Sequence, residues 1–211
     1  MGSQSPLLPS DYKAEQQAAC SQAAGSQATW SLASLAGRLC ELSCCGQSAV
    51  LTLATSLLRQ AQHAGEPSAW VNGHQHTFFP PDLADGGIDL AALPVIHTHD
   101  SAAAARACDR LIRCGAFSLV IVDTGAHARI PPPLLTRLLG LAQKHGCALV
   151  FLTEKPDEEP SLSPLISLRL TTRRHRTSPD RFLCSLEALK DKRHGPGWTH
   201  NETFRGPAGL R

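Results

Sequence analysis

From residue 39 onward the spacing of apolar positions changes in a regular way. Leu39–Ser43 is a short strand candidate. Val50, Leu51, Leu53, Ala54, Leu57, Leu58 and Ala61 then predict a helix over Ser48–His63, ended by Gly65. Ala69–Asn72 is the next strand, centred on Trp70 and Val71. The Gly/Pro/Asp-rich stretch FFPPDLADGG is expected to be a loop leading to a strand at Pro94–His97. Asp100 or Ser101 caps a helix over Ala102–Arg113, with Gly115 after it. Phe117–Val122 is a continuous apolar run ending in Asp123, the pattern of a strand buried on both faces. Pro131–Pro133 open a helix that runs to His145, Gly146 stops it, and Cys147–Thr153 is a further apolar strand.

Past the acidic loop Lys155–Ser163 the rhythm changes. Leu165–Thr172 and Phe182–Leu189 are expected as neighbouring strands joined through a turn at Arg173–Asp180, closing one edge of the sheet. Before residue 30 the periodicity is weak, so residues 1–30 are expected to be a flexible arm with a short helix over Tyr12–Ala24. The βαβα alternation predicts an α/β domain over residues 31–211, built on a mostly parallel twisted sheet with its ligand geometry at the strand C-termini.

Composition narrows the class. The 211 residues are 42% hydrophobic but only 5% aromatic, which points to an aliphatic core. No apolar run approaches the length of a membrane span, and the N-terminus has neither signal-peptide nor myristoylation character, so a cytoplasmic protein without membrane contact is expected. The net charge of +2 is small but unevenly placed. Residues 1–168 carry ten basic and fourteen acidic side chains, and residues 169–211 carry ten basic and four acidic ones. This basic C-terminal segment is a solvated surface or a site for an anionic partner. The eight cysteines form no Cys-x-x-Cys pair and are expected to be small buried hydrophobes. His74/His76 and His97/His99 each put two imidazoles on one strand face if those stretches are extended, but a metal would need a further close ligand, so no metal and no cofactor is expected.

A phosphate-binding loop needs Gly-x-x-x-x-Gly-Lys-Ser/Thr between a strand and a helix. Glu41–Leu58 has that context, yet Cys44 and Ala49 replace the glycines, Val50 the lysine and Leu51 the hydroxyl. Every side chain with a role is gone, so ATP hydrolysis is not expected. Val50 and Leu51 are both expected to pack into the core. Asp123 has the form of a Walker B aspartate.

RLCELSCCGQSAVLTLATSLLRQAQHAG resembles the segment of the RecA family that carries its Walker A motif, aligned without a gap. SAWVNGHQHTF resembles the following strand, and His74 falls where that family has its catalytic glutamate. ACDRLIRCGAFSLVIVDT resembles the Walker B region with Asp123 retained, and LEALKDKRHGPGWTHNETFRGPAGL resembles a stretch with a Lys-x-Lys pair, here Lys190 and Lys192 followed by Arg193. The resemblance implies a RecA-like three-layer core without that family's large C-terminal domain. Both DNA-binding loops are shortened, Lys155–Ser163 holds Asp157, Glu158 and Glu159, and Glu154 stands where the family has a sensing glutamine.

A short, degenerate core of this kind resembles the mutagenesis accessory family ImuA, with the division inhibitor SulA a more distant relative. That resemblance implies a nucleoid-associated role in the SOS response and translesion synthesis. It also implies contact with RecA, with an ImuB-like inactive Y-family polymerase and with an error-prone polymerase. In RecA filaments the Lys-x-Lys pair reaches the ATP of the neighbouring protomer, which makes Lys190, Lys192 and Arg193 the expected partner interface. DNA contact is expected to be weak or indirect, through Arg173, Arg174 and Arg176. The alternative is a salt-dependent DNA-binding module using residues 169–193, and an active ATPase ranks third.

Overall fold

A computed structural model describes residues 30–44, 46, 48–73, 78–126 and 128–206. The expected helix over Tyr12–Ala24, His74, His76, Cys20 and Cys45 lie outside the described residues. The elements are α1 (Leu32–Leu35), β1 (Leu39–Cys44), α2 (Val50–His63), β2 (Ser68–Asn72), α3 (Pro80–Asp85), β3 (Val95–His97), α4 (Ser101–Arg113), β4 (Leu119–Gly125), α5 (Pro132–His145), β5 (Ala148–Glu154), β6 (Leu168–Ser178), β7 (Arg181–Asp191) and β8 (Thr199–Arg205).

The strands form one sheet in the order β3-β2-β4-β5-β1-β6-β7-β8. The first six are parallel, and β7 and β8 run antiparallel at one edge. Buried residues of α2 pack on one face with Trp30, Leu42 and Val150, while those of α4 and α5 pack on the other with Val120, Val122 and Phe151. The fold is thus the three-layer α/β core that the alternation of elements requires, since a parallel sheet must be covered on both faces.

Local chemistry explains the boundaries. Asp100 caps α4, its side chain accepting from the Ala103 amide at 2.6 Å. Prolines begin α5, where a missing N–H costs nothing, and Gly146 ends it in the left-handed conformation at φ 67°.

Three expectations need correction. FFPPDLADGG is not all loop, because Pro80 and Pro81 open the short helix α3. Arg173–Asp180 is not a turn. β6 continues to Ser178 and the reversal is confined to Pro179 and Asp180, with Ser178 paired to Arg181. The stretch from Arg173 to Thr177 is exposed at every position, so no apolar alternation marks it as strand. β8, with the sequence THNETFR, carried no strand signal because two of its three inward positions are the polar His200 and Glu202. Asp123 does not end β4, which runs on through an irregularity to Gly125.

Candidate functional site

The carboxyl edge of the parallel sheet brings together Cys44, Asn72, Asp123, Glu154 and, on β6, Thr172. This is where an α/β sheet of this order holds ligands, next to the start of the first crossover helix. At that start the backbone is occupied from within. The Val50 amide donates to Ser48 Oγ at 3.0 Å and the Ala49 amide to Thr172 Oγ1 at 3.3 Å. Two of the amides that would greet a phosphate are therefore already bonded, and valine stands at the lysine position. Ala49 and Cys44 are buried. Val50 packs into the core as expected, 6% exposed, but Leu51 does not and is 60% exposed. The helical period explains the difference, because Leu51 lies off the face that carries Val50, Leu53, Ala54, Leu57 and Leu58.

Asp123 is half-buried, and its carbonyl accepts the Gly73 amide at 2.7 Å. A Cβ on residue 73 would stand 3.0 Å from that same oxygen, so glycine lets the chain leaving β2 press against β4. Trp70 Nε1 donates to Asn72 Oδ1 at 2.8 Å, which fixes the amide so that Asn72 Nδ2 faces His97 Nδ1 at 3.0 Å. An amide nitrogen only donates, so His97 Nδ1 is placed to accept from it. Among the described residues no group of three or more His, Cys, Asp or Glu side chains is arranged to hold a metal ion.

The Lys-x-Lys segment is the second cluster. Strand alternation sends Lys190 and Lys192 one way and Asp191 the other. Lys192 Nζ donates to the Pro164 carbonyl at 2.8 Å, and Lys190 Nζ lies 3.5 Å from that oxygen and from Ser161 Oγ. Two ammonium groups therefore converge on one carbonyl. Desolvation, and next the neighbouring Lys192 charge, hold the Lys190 pKa below its ordinary value. Arg193 turns away and donates to the Ser34 and Ala36 carbonyls at 3.2 and 3.3 Å.

Asp191 is buried against Arg38 at 2.6 Å and accepts from the Arg193 amide at 2.8 Å and Trp198 Nε1 at 3.0 Å. Desolvation raises its pKa, but these donors outweigh it and the carboxyl is held below its usual range.

The expected DNA-contact arginines are split by the strand. Arg173 Nη2 lies 3.0 Å from the Asp157 carboxylate. Arg174 stacks over the Phe182 ring at 5.3 Å, and Arg176 is bonded to the Ser178 and Pro179 carbonyls at 3.2 and 2.8 Å.

One buried network was not foreseen. Glu41, in the middle of β1, binds Lys155 Nζ at 2.5 Å, Thr153 Oγ1 at 3.1 Å and the Leu162 amide at 2.8 Å. Arg169 donates to the Pro156 carbonyl at 2.8 Å and to the Glu159 carbonyl. Together they clamp the acidic loop onto the sheet edge. The signal was present in LCELSC and LRLT, because a charge inside a buried strand requires partners.

No family model matches the chain. It is similar to Protein RecA of Haemophilus ducreyi, 26% identical over 137 residues, covering 56% of this chain and 37% of that protein. Protein RecA of Clostridium novyi is 25% identical over 188 residues, covering 73% of this chain and 53% of its own length. Protein RecA of Azospirillum lipoferum is 26% identical over 137 residues, covering 56% and 38%. The chain spans between roughly a third and a half of these curated relatives. Weak sequence similarity and the sheet together support a RecA-like relationship and a RecA-like core.

Proposed function

We propose that this chain is a non-catalytic RecA-like adaptor in the bacterial DNA-damage response, of the ImuA kind. It works beside RecA and an ImuB-like, error-prone polymerase assembly in translesion mutagenesis. The observation that carries the reading is the start of α2. Ala49, Val50 and Leu51 stand where a glycine, the phosphate lysine and the magnesium hydroxyl are required, and the Ala49 and Val50 amides are bonded to Thr172 and Ser48. A phosphate placed there would meet no lysine at position 50, and the Ala49 and Val50 amides would have to leave their present acceptors. Isothermal titration with Mg-ATP tests the catalytic half of the proposal. The expected result is no binding, and saturable magnesium-dependent binding at micromolar ATP overturns it.

The adaptor half rests on Lys190 and Lys192, which converge on Pro164 and carry two positive charges to one spot. A protomer with these lysines and no ATP site of its own docks on the ATP-bearing face of RecA and offers nothing to the next subunit, so it caps a filament. Lys190→Ala with Lys192→Ala is expected to weaken ATP-dependent association with RecA while the melting temperature stays near that of the parent. If the double variant binds RecA as well as the parent does, with or without ATP, capping is overturned. The DNA-module alternative is less favoured, because Arg169, Arg173 and Arg176 already have partners within the chain.

A further inference from the structure

We propose that the outer edge of β8, flanked by Arg181 and Arg205, receives an extended acidic peptide of a partner protein as an added strand. This does not depend on the RecA reading.

β8 is the terminal strand on its side of the sheet among the described residues. It pairs with β7 from Arg181↔Arg205 to Glu187↔Thr199 without a bulge. It contains no proline, no lysine and no bulge; of the features that blunt an edge it carries only the inward Glu202, which Ser56 satisfies, and the terminal Arg205. Among the described residues no strand pairs with its far side, which offers a row of alternating N–H and C=O groups.

The side chains fix what fits there. His200, Glu202 and Phe204 are half-buried on the α2 side, where Glu202 accepts from Ser56 Oγ at 3.3 Å and Phe204 packs against the core. Thr199, Asn201, Thr203 and Arg205 are exposed on the other face. Arg205 lies directly across from Arg181, and neither has an ion-pair partner among the described residues. Like charges directly opposite one another destabilise a sheet, and a carboxylate placed beside them offsets that repulsion.

Charge alone does not choose between a peptide and a nucleic acid; the strand edge does. A phosphodiester chain supplies acceptors only and leaves the β8 carbonyls unmatched, whereas a peptide strand matches both kinds of group. The exposed face also has no aromatic ring on which a base would stack. A second copy of the chain is the poorer occupant, because the same face of its β8 carries no carboxylate. The fitting partner strand has Asp or Glu at alternate positions toward Arg205 and an apolar side chain beside Phe204.

The test uses the full chain and the fluorescein-labelled peptide Glu-Val-Glu-Val-Glu-Val-Glu, read by anisotropy. The parent is expected to bind it. Arg181→Gln with Arg205→Gln, which removes charge without reversing it, is expected to weaken binding roughly tenfold or more. Arg181→Glu with Arg205→Glu is expected to shift preference to the Lys-Val counterpart. Arg174→Gln with Arg176→Gln, on the opposite face, is expected to leave affinity unchanged. Methylating the peptide amides at odd or at even positions is expected to abolish binding in one pattern only. Several results overturn the proposal: no peptide binding with an unchanged melting temperature, equal tolerance of both methylation patterns, capture of a dT oligonucleotide in place of the peptide, or a chain dimer that the double Gln variant dissociates.

Discussion

Asp191→Asn is the substitution whose cost the structure specifies best. The Asp191 side chain is 0% exposed and that of Arg38 is 3% exposed, with 2.6 Å between their charged atoms. Arg38 also donates to Ser167 Oγ at 2.9 Å and to the Ser167 carbonyl at 3.0 Å, so it cannot swing out to water without breaking both bonds. The amide keeps the shape but removes the negative charge, and its NH2 group meets donors from Arg38 or Trp198. An uncompensated buried guanidinium costs about 3–5 kcal/mol. At roughly 2–4 °C per kcal/mol for a domain of this size, the melting temperature should fall by about 6–20 °C.

The pH dependence has a definite sign. A carboxyl held below its usual range contributes stability that is present above its unfolded pKa and is lost as pH falls through the folded one. The gap between parent and variant should therefore narrow in acid, toward roughly pH 3 and below. Chemical denaturation at both ends of the range, with an Arg38→Met cycle, measures this. In the Arg38→Met background Asp191→Asn should cost less by at least about 1 kcal/mol. A cost under about 1 kcal/mol in the parent, or equal costs in both backgrounds, refutes the reasoning.

Arg169→Leu removes the donors to the Pro156 and Glu159 carbonyls, so limited proteolysis should cut within residues 156–160 faster than in the parent. Thiol labelling at neutral pH should mark exposed Cys114 and spare Cys40 and Cys147, whose thiols burial pushes up to about 12; Cys108 is raised further still by the same cause. Modification of Cys40 in the native state as fast as Cys114 contradicts this. Leu51→Ser should change stability by under about 0.5 kcal/mol. By contrast Leu53→Ala, two positions on and fully buried, should cost about 2–5 kcal/mol by urea titration.

The sequence by itself determined the layered α/β core, because its signals are local. Helical spacing through Val50–His63, the Asp100 cap, Gly146, and the apolar strand at Leu119–Val122 each act within a few residues. It also exposed the missing phosphate loop, since that motif is contiguous. It misread the basic hairpin, where Arg173–Thr177 is exposed on both faces, and passed over β8, whose inward positions include the polar His200 and Glu202, so neither displays apolar alternation.

Only tertiary structure decided where the charges went. Arg38 meets Asp191 across 153 positions, and Glu41 meets the Leu162 amide across 121. Strand alternation separated Arg173 from Arg174 and Arg176, and parted Asp191 from the lysines on either side of it. Periodicity reports which side of an element faces the core, whereas the partner of a buried charge is fixed only when distant strands pair. Burying that charge unpaired is too costly for the fold to leave the choice open.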